Sequence, residues 1–325
     1  MPQITKNKQP IETIQTILRT AFGPTAEIRA CRELSDGFCN VTYDIELTDG
    51  RTCILKVGQA GNIKMMSCEA KMMPAEVSAM RCAAAHGMPG IAEVYYYDRS
   101  RTICTGEYFL MEKVDGVNLA HIGRELSQEQ KENYSRQTGQ FLKQLHQIRG
   151  EKFGHFCEPS LQYDSWYEAF YDSVAGIIED GKAVNIDIGI SYDEILKLLE
   201  KHREYFAEVT EPEMIHWDLW EGNIFVKDGK ISGIIDWERA MWAEGLMEQN
   251  FRCHAKNPAF LEGYGMEELT EAQQLRCLWY DVHLYLVMMI EGTYRQYEDD
   301  GQYRWAKSVF LPVWEELNAY SSKQS

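Results

Sequence analysis

Apolar residues recur at helical spacing near the start of the chain. Those that share one face of a helical repeat are Ile11, Ile14, Leu18 and Phe22, and this spacing predicts an amphipathic N-terminal helix. Two strand-like segments follow, GFCNVTYDIEL and RTCILKV, and Thr48-Asp49-Gly50 separates them. Because glycine tolerates a positive φ in such a turn, the pattern predicts a β-hairpin.

The next part of the chain predicts one helix and two further strands. Proline suits the first position of a helix, so we expect a helix to begin near Pro74 and to end at Gly87. After Pro89, the segments IAEVYYYD and EYFLMEKV have the composition of strands.

Beyond Asp115-Gly116, helical patterns replace the strands. Ser127 and Gln130 have the spacing of a capping box, and one apolar face follows at Tyr134, Phe141, Leu142 and Leu145. Further helices are predicted over residues 164–179, 192–207 and 271–295, with one short β segment over residues 214–237. We therefore expect an α+β fold with a small β-rich lobe, residues 1–113, and a larger helical lobe, residues 114–325.

Acidic residues outnumber basic ones in this chain of 325 residues. There are 50 Asp and Glu against 33 Lys and Arg, which gives a formal net charge of −17. Such a field repels the phosphates of nucleic acids and of anionic lipids, so we expect neither as a partner. The charge would favour a cationic partner, and it is equally compatible with a role in solubility alone.

Membrane and secreted classes are not indicated either. The longest apolar runs, such as Leu286–Ile290, fall far short of the roughly 20 residues of a membrane helix, and the N-terminus has no apolar signal core. The nine cysteines include no C-x-x-C pair, which argues against a disulfide framework or a zinc site. We expect a cytoplasmic protein, a monomer or a dimer, with reduced thiols.

The most informative stretch is MIHWDLWEGNIFVKDGKISGIIDWE, residues 214–238. Its Asp-Gly pair predicts a two-residue hairpin turn in which Lys227 pairs with Lys230. In that register Asn223 lies opposite Ile234, and Asn223 and Asp236 point to the same face as diagonal neighbours. Such neighbours lie roughly 7–8 Å apart at Cα, close enough to share one metal ion.

The residue types in this stretch suit phosphoryl transfer. Asn223 and Asp236 would offer oxygen ligands to Mg²⁺, while Asp218 would be free to orient or deprotonate a hydroxyl group. The order H-x-D-x-x-x-x-N followed by D is that of a kinase catalytic loop and its metal-binding aspartate. In this reaction, positioning and charge neutralisation account for most of the rate.

The run from His216 to Asn223, followed by Ile234-Ile235-Asp236-Trp237-Glu238, resembles the aminoglycoside phosphotransferase and choline kinase superfamily. Its members typically read H-G-D-L-x-x-x-N and then I-D-[WF]-[ED], and D-L-W-x-G-N is also similar to the fructosamine kinase branch. Protein kinases share the spacing, but this chain has D-W-E in place of D-F-G and lacks A-P-E, which favours a small-molecule acceptor. Trp217 stands where the family usually carries glycine, a change that bears on the packing of the loop.

The resemblance implies a two-lobed, protein-kinase-like fold with the nucleotide, ATP or possibly GTP, in the cleft between the lobes. It implies that Lys56 contacts the α- and β-phosphates and is held by Glu76, with Glu69 as the rival partner. From the residues alone, Lys56 could equally be an edge-strand lysine with a solvated head. His216, within the catalytic motif, is expected to hold the loop in place.

The resemblance also assigns a loop over the phosphates and a hinge for adenine. The loop is Ser35–Asn40, with Gly37 and Asn40 as its characteristic residues, and the hinge is Phe109–Val114, which includes Glu112. A simple turn and an ordinary buried strand would fit the same two segments.

The acceptor is expected to bind among the C-terminal helices. The candidate residues there are Asp164, Asp172, Glu179, Asp180, Glu238, Glu244, Asp281, Glu291, Trp166, Trp242, Trp279 and Tyr280. An aminoglycoside-like acceptor is the leading hypothesis, followed by a metabolic kinase of the choline, ethanolamine, homoserine or fructosamine type. A non-catalytic nucleotide-binding protein with a kinase-like fold is the third.

Overall fold

The computed structural model describes residues 6–34, 40–61, 63–69, 71–252, 257–266 and 268–322. Its N-terminal part is an antiparallel sheet of five strands and two helices. Along the chain, one helix precedes the β2–β3 hairpin and the other follows it. The helices are α1 (Ile11–Phe22) and α2 (Met72–Ala85), and the strands are β1 (Ile28–Leu34), β2 (Val41–Leu47), β3 (Thr52–Val57), β4 (Val94–Asp98) and β5 (Tyr108–Met111). The order across the sheet is β1-β2-β3-β5-β4.

Alternation of apolar and polar residues along β2 explains how this sheet packs. The side chains that point inward from β2 are Val41, Tyr43, Ile45 and Leu47, and they share a core with buried residues of α1. The buried face of α1 is centred on Ile14, Ile17 and Leu18. Ile11 was expected on this face, but it is the first residue of the helix and is exposed.

The predicted turn and the helix after it are both present. Gly50 has a φ of 89°, as the hairpin turn requires. The helix α2 begins at Met72, two residues before Pro74. Proline is tolerated there because the first N–H groups of a helix have no partner within the helix. Beyond the end of the helix at Ala85, Gly87 has a φ of 75°.

Helices dominate the rest of the chain. They are α3 (Leu119–Ile122), α4 (Gln128–Leu145), α5 (Trp166–Ala183), α6 (Tyr192–Lys201), α7 (Pro258–Tyr264), α8 (Glu271–Tyr294) and α9 (Gly301–Ser322). The capping box of Ser127 and Gln130 is formed at the start of α4. The helix predicted over residues 192–207 ends at Lys201, and a short 3₁₀ turn follows it. The helix α9 contains Pro312 in its interior, a residue that disfavours such a position.

Two small antiparallel sheets lie among these helices. Their strands are β6 (Val117–Asn118), β7 (Phe153–His155), β8 (Gln162–Tyr163), β9 (Glu213–Ile215), β10 (Ile224–Lys227), β11 (Lys230–Ile234) and β12 (Met241–Ala243). The order is β11-β10-β6 in one sheet and β8-β7-β12-β9 in the other. The second sheet has strands of two or three residues, too short for an alternating pattern to predict.

The helix α8 forms the centre of the larger lobe, and most of its residues are buried. Its core shares buried side chains with α5 and α9, and α2 of the smaller lobe joins the same core. The α+β fold predicted from the sequence, a small antiparallel sheet with a large helical part, is therefore confirmed. Among the described residues, no helix combines the length and apolar character needed to cross a membrane.

Candidate active site

The hairpin of β10 and β11 follows the predicted register only at its turn. Lys227 pairs with Lys230 as expected, but a bulge shifts the register, and Ile234 pairs with Ile224. The predicted pairing of Asn223 with Ile234 is therefore wrong. The extra residue on β11 is Ser232, whose hydroxyl donates to the carbonyl of Asp115 at 2.6 Å, a tertiary contact that sequence spacing does not reveal.

Asn223 reaches the neighbourhood of Asp236 by a different route. Asn223 ends a 3₁₀ turn, and its carbonyl accepts from the N–H of Ile235, the residue before Asp236, at 3.0 Å. The amide nitrogen of its side chain donates to the backbone carbonyl of Asp218 at 2.8 Å. This contact fixes the loop between the two residues and leaves the amide oxygen of Asn223 available to a ligand.

A buried glutamate and His216 hold the loop that carries Asp218. Glu248 accepts backbone N–H groups of His216 and Trp217 at 2.5 and 2.9 Å. His216 is fully buried and donates through Nε2 to the carbonyl of Ile235 at 3.0 Å. Burial lowers the pKa of His216, so its ring is neutral and its contacts are those of a support for the loop.

Trp217 explains why glycine is usual at this position. Its φ is 71°, in the left-handed region that favours glycine. The indole is buried between two guanidinium groups, with Arg239 at 4.9 Å and Arg252 at 5.7 Å from the ring centre. These cation–π contacts and the surrounding core offset the backbone strain, so the loop accommodates tryptophan.

Lys56 lies at the centre of a cluster of carboxylates, of which Glu76 is buried and Asp236 and Glu238 are partly exposed. It is on β3, and its Nζ lies 2.7 Å from Glu76 Oε2 on α2 and 2.5 Å from Asp236 Oδ1. Glu238 lies 3.4 Å from the same nitrogen. Lys56 is only 7% exposed, so the solvated edge-strand lysine is not what the structure contains. One ammonium and three carboxylates leave an excess of two negative charges when all are ionised.

The pKa values of the cluster follow from this imbalance. Burial opposes the charge on Lys56, but Asp236, Glu76 and Glu238 outweigh it and hold the pKa of Lys56 well above its ordinary value. Burial raises the pKa of Glu76 and that of Glu238. Burial is also the largest single influence on Asp236 and acts in the same direction, but the charge and hydrogen bond of Lys56, together with the charge of Arg239 and other neighbours, outweigh it, and the pKa of Asp236 is lowered.

The other nucleotide-side residues have different surroundings. Asn40 is buried, and its side-chain amide donates to Glu238 at 2.7 Å. The side chain of Glu112 is exposed, and its backbone N–H donates to the carbonyl of Glu93 at 2.8 Å. Gly37 lies outside the described residues.

Glu69 is not a neighbour of Lys56. It is 1% exposed and lies 2.7 Å from Nε of Arg295, which follows α8. The structure thus pairs Lys56 with Glu76, and it joins Glu69 to the larger lobe.

Asp218 lies at the edge of this cluster, partly accessible, on the loop between β9 and β10. Burial raises its pKa to about 7; the charge of Arg239 opposes the rise, and Asp236, Glu238 and Glu291 add to it. A carboxylate with a pKa near neutrality is suited to take up a proton during a reaction at neutral pH.

A family model and solved structures agree with this arrangement. The model of the phosphotransferase enzyme family, APH, matches residues 30–265, more than half of the chain. The chain belongs to this family. A search of curated proteins finds no match.

Solved structures of phosphotransferases share the fold over almost the whole chain. A protein described as an aminoglycoside phosphotransferase from Ralstonia eutropha JMP134 has a TM-score of 0.68 at 12% identity, covering 97% of this chain and 99% of that one. Aminoglycoside phosphotransferase APH(4)-Ia, in complex with AMP-PNP and hygromycin B, has a TM-score of 0.65 at 16% identity, with coverages of 93% and 97%. A protein described as a fructosamine-3-kinase from Thermobifida fusca scores 0.61 at 17% identity, with coverages of 92% and 99%.

In this member of the phosphotransferase enzyme family, Arg239, the residue after Glu238, lies at the site although the sequence did not predict it there. Arg239 lies 3.2 Å from Glu291 and 3.9 Å from Glu69, and its guanidinium covers the ring of Trp217. Glu248 was also missed. Both residues contact side chains or backbone groups that are distant in sequence, so no local spacing predicts their positions. The charged Arg239 directly after the D-W-E motif was nevertheless a signal that could have been used.

Most of the acceptor-side candidates are buried in the core or have a partner within the chain. Trp166, Trp279 and Tyr280 are at most 1% exposed and belong to the core. The acidic candidates with partners are Asp164 with Lys152, Asp172 with Tyr163, Glu179 with Lys182, Asp180 with Ser67, Glu244 with Arg276, and Glu291 with Arg239. Asp281 is buried, and Trp242 stacks on Phe156 at 4.5 Å. Glu238 belongs to the Lys56 cluster.

Proposed function

We propose that this phosphotransferase moves the γ-phosphoryl group of ATP, or of GTP, to a hydroxyl group of a small molecule. The observation that carries the proposal is the cluster of Lys56, Glu76, Asp236 and Glu238, with Asp218 beside it at a pKa of about 7. This is the combination that phosphoryl transfer requires, a cation for the phosphates and a base for the acceptor.

In the proposed reaction Asp218 orients the acceptor hydroxyl and takes its proton. The hydroxyl oxygen forms a bond to the γ-phosphorus, while the bond from that phosphorus to the oxygen bridging to the β-phosphate breaks and ADP leaves. Lys56 contacts the α- and β-phosphates, and Glu76 keeps its side chain in position. His216 contributes by holding the loop that carries Asp218.

Magnesium fits the donor set. Carboxylate oxygens of Glu76, Asp236 and Glu238 lie within 4.8 Å of one another, and their negative charge exceeds what Lys56 neutralises. Oxygen-only donors with excess negative charge are what Mg²⁺ prefers. Asn223 and Asp236 would hold the ion, which when bound would neutralise phosphate charge.

The remaining nucleotide contacts are also proposals. Gly37 and Asn40 would form the loop over the phosphates, and the backbone around Glu112 would contact adenine. We likewise propose that residues 1–113 form the nucleotide-binding lobe and residues 114–325 the catalytic and acceptor lobe. The separate hydrophobic core of α1 and the first sheet supports this boundary.

An aminoglycoside-like, cationic acceptor is our leading proposal. Its support is the net charge of −17 and the likeness to APH(4)-Ia bound to hygromycin B and to APH(2″)-IIa bound to streptomycin and ATP. A metabolic kinase of the choline, ethanolamine, homoserine or fructosamine type is the alternative, and the likeness to the protein described as a fructosamine-3-kinase favours the last of these.

A phosphorylation screen tests the proposal. With ATP or GTP and Mg²⁺, the chain is offered aminoglycosides, choline, ethanolamine, homoserine, fructosamines and small sugars, and phosphorylated products are detected by mass spectrometry. Asp218→Asn should lower kcat by about 100-fold to 10,000-fold, because general base catalysis contributes that much.

The control is Asp193→Asn, a surface residue of α6 that pairs with Lys182, and it should retain full activity. Unchanged activity of the Asp218 variant would show that another group is the base. If no acceptor is phosphorylated but nucleotide still binds, the non-catalytic alternative is supported instead.

A further inference from the structure

One large aromatic side chain of the candidate active site is exposed rather than buried. All eight tryptophans lie in the described ranges, and only Trp220 and Trp305 are classed as exposed, at 44% and 43%. Trp220 is two residues after Asp218, on the same loop. The tryptophans first considered for the acceptor lie in the core or are stacked on other rings, so Trp220 is the indole that an acceptor can reach.

The backbone fixes the position of Trp220 relative to Asp218. Its N–H donates to the carbonyl of Asp218 at 3.1 Å, and its own carbonyl accepts from the N–H of Asn223 at 2.9 Å. Between Asp218 and Trp220, Leu219 is fully buried and anchors the loop. Asp218, Trp220 and Asn223 therefore belong to one hydrogen-bonded loop.

Gly222 supports the indole ring from one side. A Cβ atom on Gly222 would lie 2.2 Å from Cζ2 of Trp220 and 2.4 Å from Cη2. The ring thus lies directly against the backbone, which restricts its rotamers, while the rest of the ring faces solvent.

The π face of an exposed indole attracts an ammonium group. We propose that Trp220 is a specificity-determining residue, on whose indole an ammonium group of the acceptor rests while the acceptor hydroxyl faces Asp218. This inference deepens the proposed function and rests on it for the presence of an acceptor. In this arrangement the loop that carries Asp218 also binds a part of the acceptor that does not react.

Binding to the indole can be measured without any reaction. In ¹⁵N-labelled full-length protein, the Trp220 indole signal is assigned by its loss in Trp220→Phe, and choline and 2-deoxystreptamine are titrated as ammonium probes. The Trp220 signal should shift saturably, whereas 3,3-dimethylbutan-1-ol, the uncharged isostere of choline, should bind at least about 3-fold more weakly. Trp305 provides an internal reference of equal exposure.

Three outcomes of this titration would overturn the inference. They are the absence of a saturable shift of the Trp220 signal with both ammonium probes, equal affinity for choline and its uncharged isostere, and an equal response of Trp305.

Kinetics with an amine-bearing acceptor found in the screen give a second test. Trp220→Leu should raise the KM for that acceptor by about 3-fold to 30-fold, with a smaller change in kcat, and Trp220→Phe should keep part of the affinity because phenylalanine has a weaker π face. Trp305→Leu is the matched control and should leave both constants unchanged. Equal KM values for the Trp220→Leu variant and the wild type would contradict the inference.

The two hypotheses fail in different ways. If the proposed function is wrong, no product forms with any acceptor, but the Trp220 signal still shifts with the ammonium probes. If only the inference is wrong, product forms and the Trp220 variants retain the wild-type KM.

Discussion

Arg239 limits how far the pKa of Asp218 rises. Burial and three nearby carboxylates raise this pKa to about 7, and the positive charge of the Arg239 guanidinium opposes the rise. Glu291 and Glu69 hold the guanidinium in place from one side, and the ring of Trp217 lies under it. Arg239 thus sets the pH range in which Asp218 can accept a proton.

This leads to a prediction for the pH dependence of the reaction. Asp218 must be ionised to act as a base, so kcat/KM should rise with pH through about pH 7. In Arg239→Met the ionised form loses a favourable charge, so the pKa of Asp218 rises further. The midpoint of the pH profile should then move upward by about one pH unit, as measured by kcat/KM from pH 5 to pH 9.

Arg239→Lys separates charge from packing in this experiment. It keeps the positive charge but not the planar contact with Trp217, so its midpoint should stay closer to that of the wild type. An unchanged midpoint in Arg239→Met would mean that Arg239 acts on folding alone.

At the scale of elements, the catalytic stretch could be predicted because its chemistry is local in sequence. Asp218, Asn223 and Asp236 lie within one loop and one hairpin, so their closeness in sequence predicted their proximity even though the predicted pairing of Asn223 was wrong. The predicted register of β10 and β11 was wrong because Ser232 is an extra, bulged residue of β11. Its hydroxyl donates to the carbonyl of Asp115, a residue over a hundred positions away. The contacts of Glu248 and Arg239 depend on tertiary structure in the same way.

The contacts of the segment between β3 and α2 could not be predicted from the sequence either, and they lead to a further prediction. Glu69, in this segment, forms a buried ion pair with Arg295 across 226 positions of sequence. The backbone N–H of Ser67 donates to Asp180 on α5 at 2.7 Å. These contacts attach the segment to the larger lobe, and no pattern in the sequence links them.

Removing the charge of Glu69 should destabilise the protein. Glu69→Gln leaves Arg295 buried with Glu291, at 3.4 Å, as its remaining counter-charge. The loss of the charged hydrogen bond should cost about 1.5–3 kcal/mol, and urea unfolding should show a lower midpoint. Glu46→Gln is the matched control, because its ion pair with Arg29 is exposed and is worth about 1 kcal/mol or less. A similar decrease in the free energy of unfolding in both variants would show that the ion pair of Glu69 does not stabilise the protein.

At the scale of the whole molecule, the cleft is closed by contacts between the two parts of the chain. Lys56 and Asn40, from the smaller lobe, contact Asp236 and Glu238, from the larger one. A nucleotide and its metal ion would enter between these groups and exchange a Lys56–Asp236 contact for contacts to phosphate. We therefore expect nucleotide affinity to depend on both lobes, and Asp236 to contribute to it through the proposed Mg²⁺.

Asp236 and Asp218 should differ in their effect on nucleotide binding. Asp236→Ala removes a proposed ligand of Mg²⁺ and should weaken Mg·AMP-PNP binding by about 100-fold or more, measured by isothermal titration calorimetry. Asp218→Ala removes a group that faces the acceptor, so it should change this affinity by about 3-fold at most. Chelation of Mg²⁺ with EDTA should weaken nucleotide binding to the wild type as much as Asp236→Ala does. It should have little further effect on the Asp236→Ala variant, whereas equal losses in the two variants would contradict the division of roles between the metal ligand and the base.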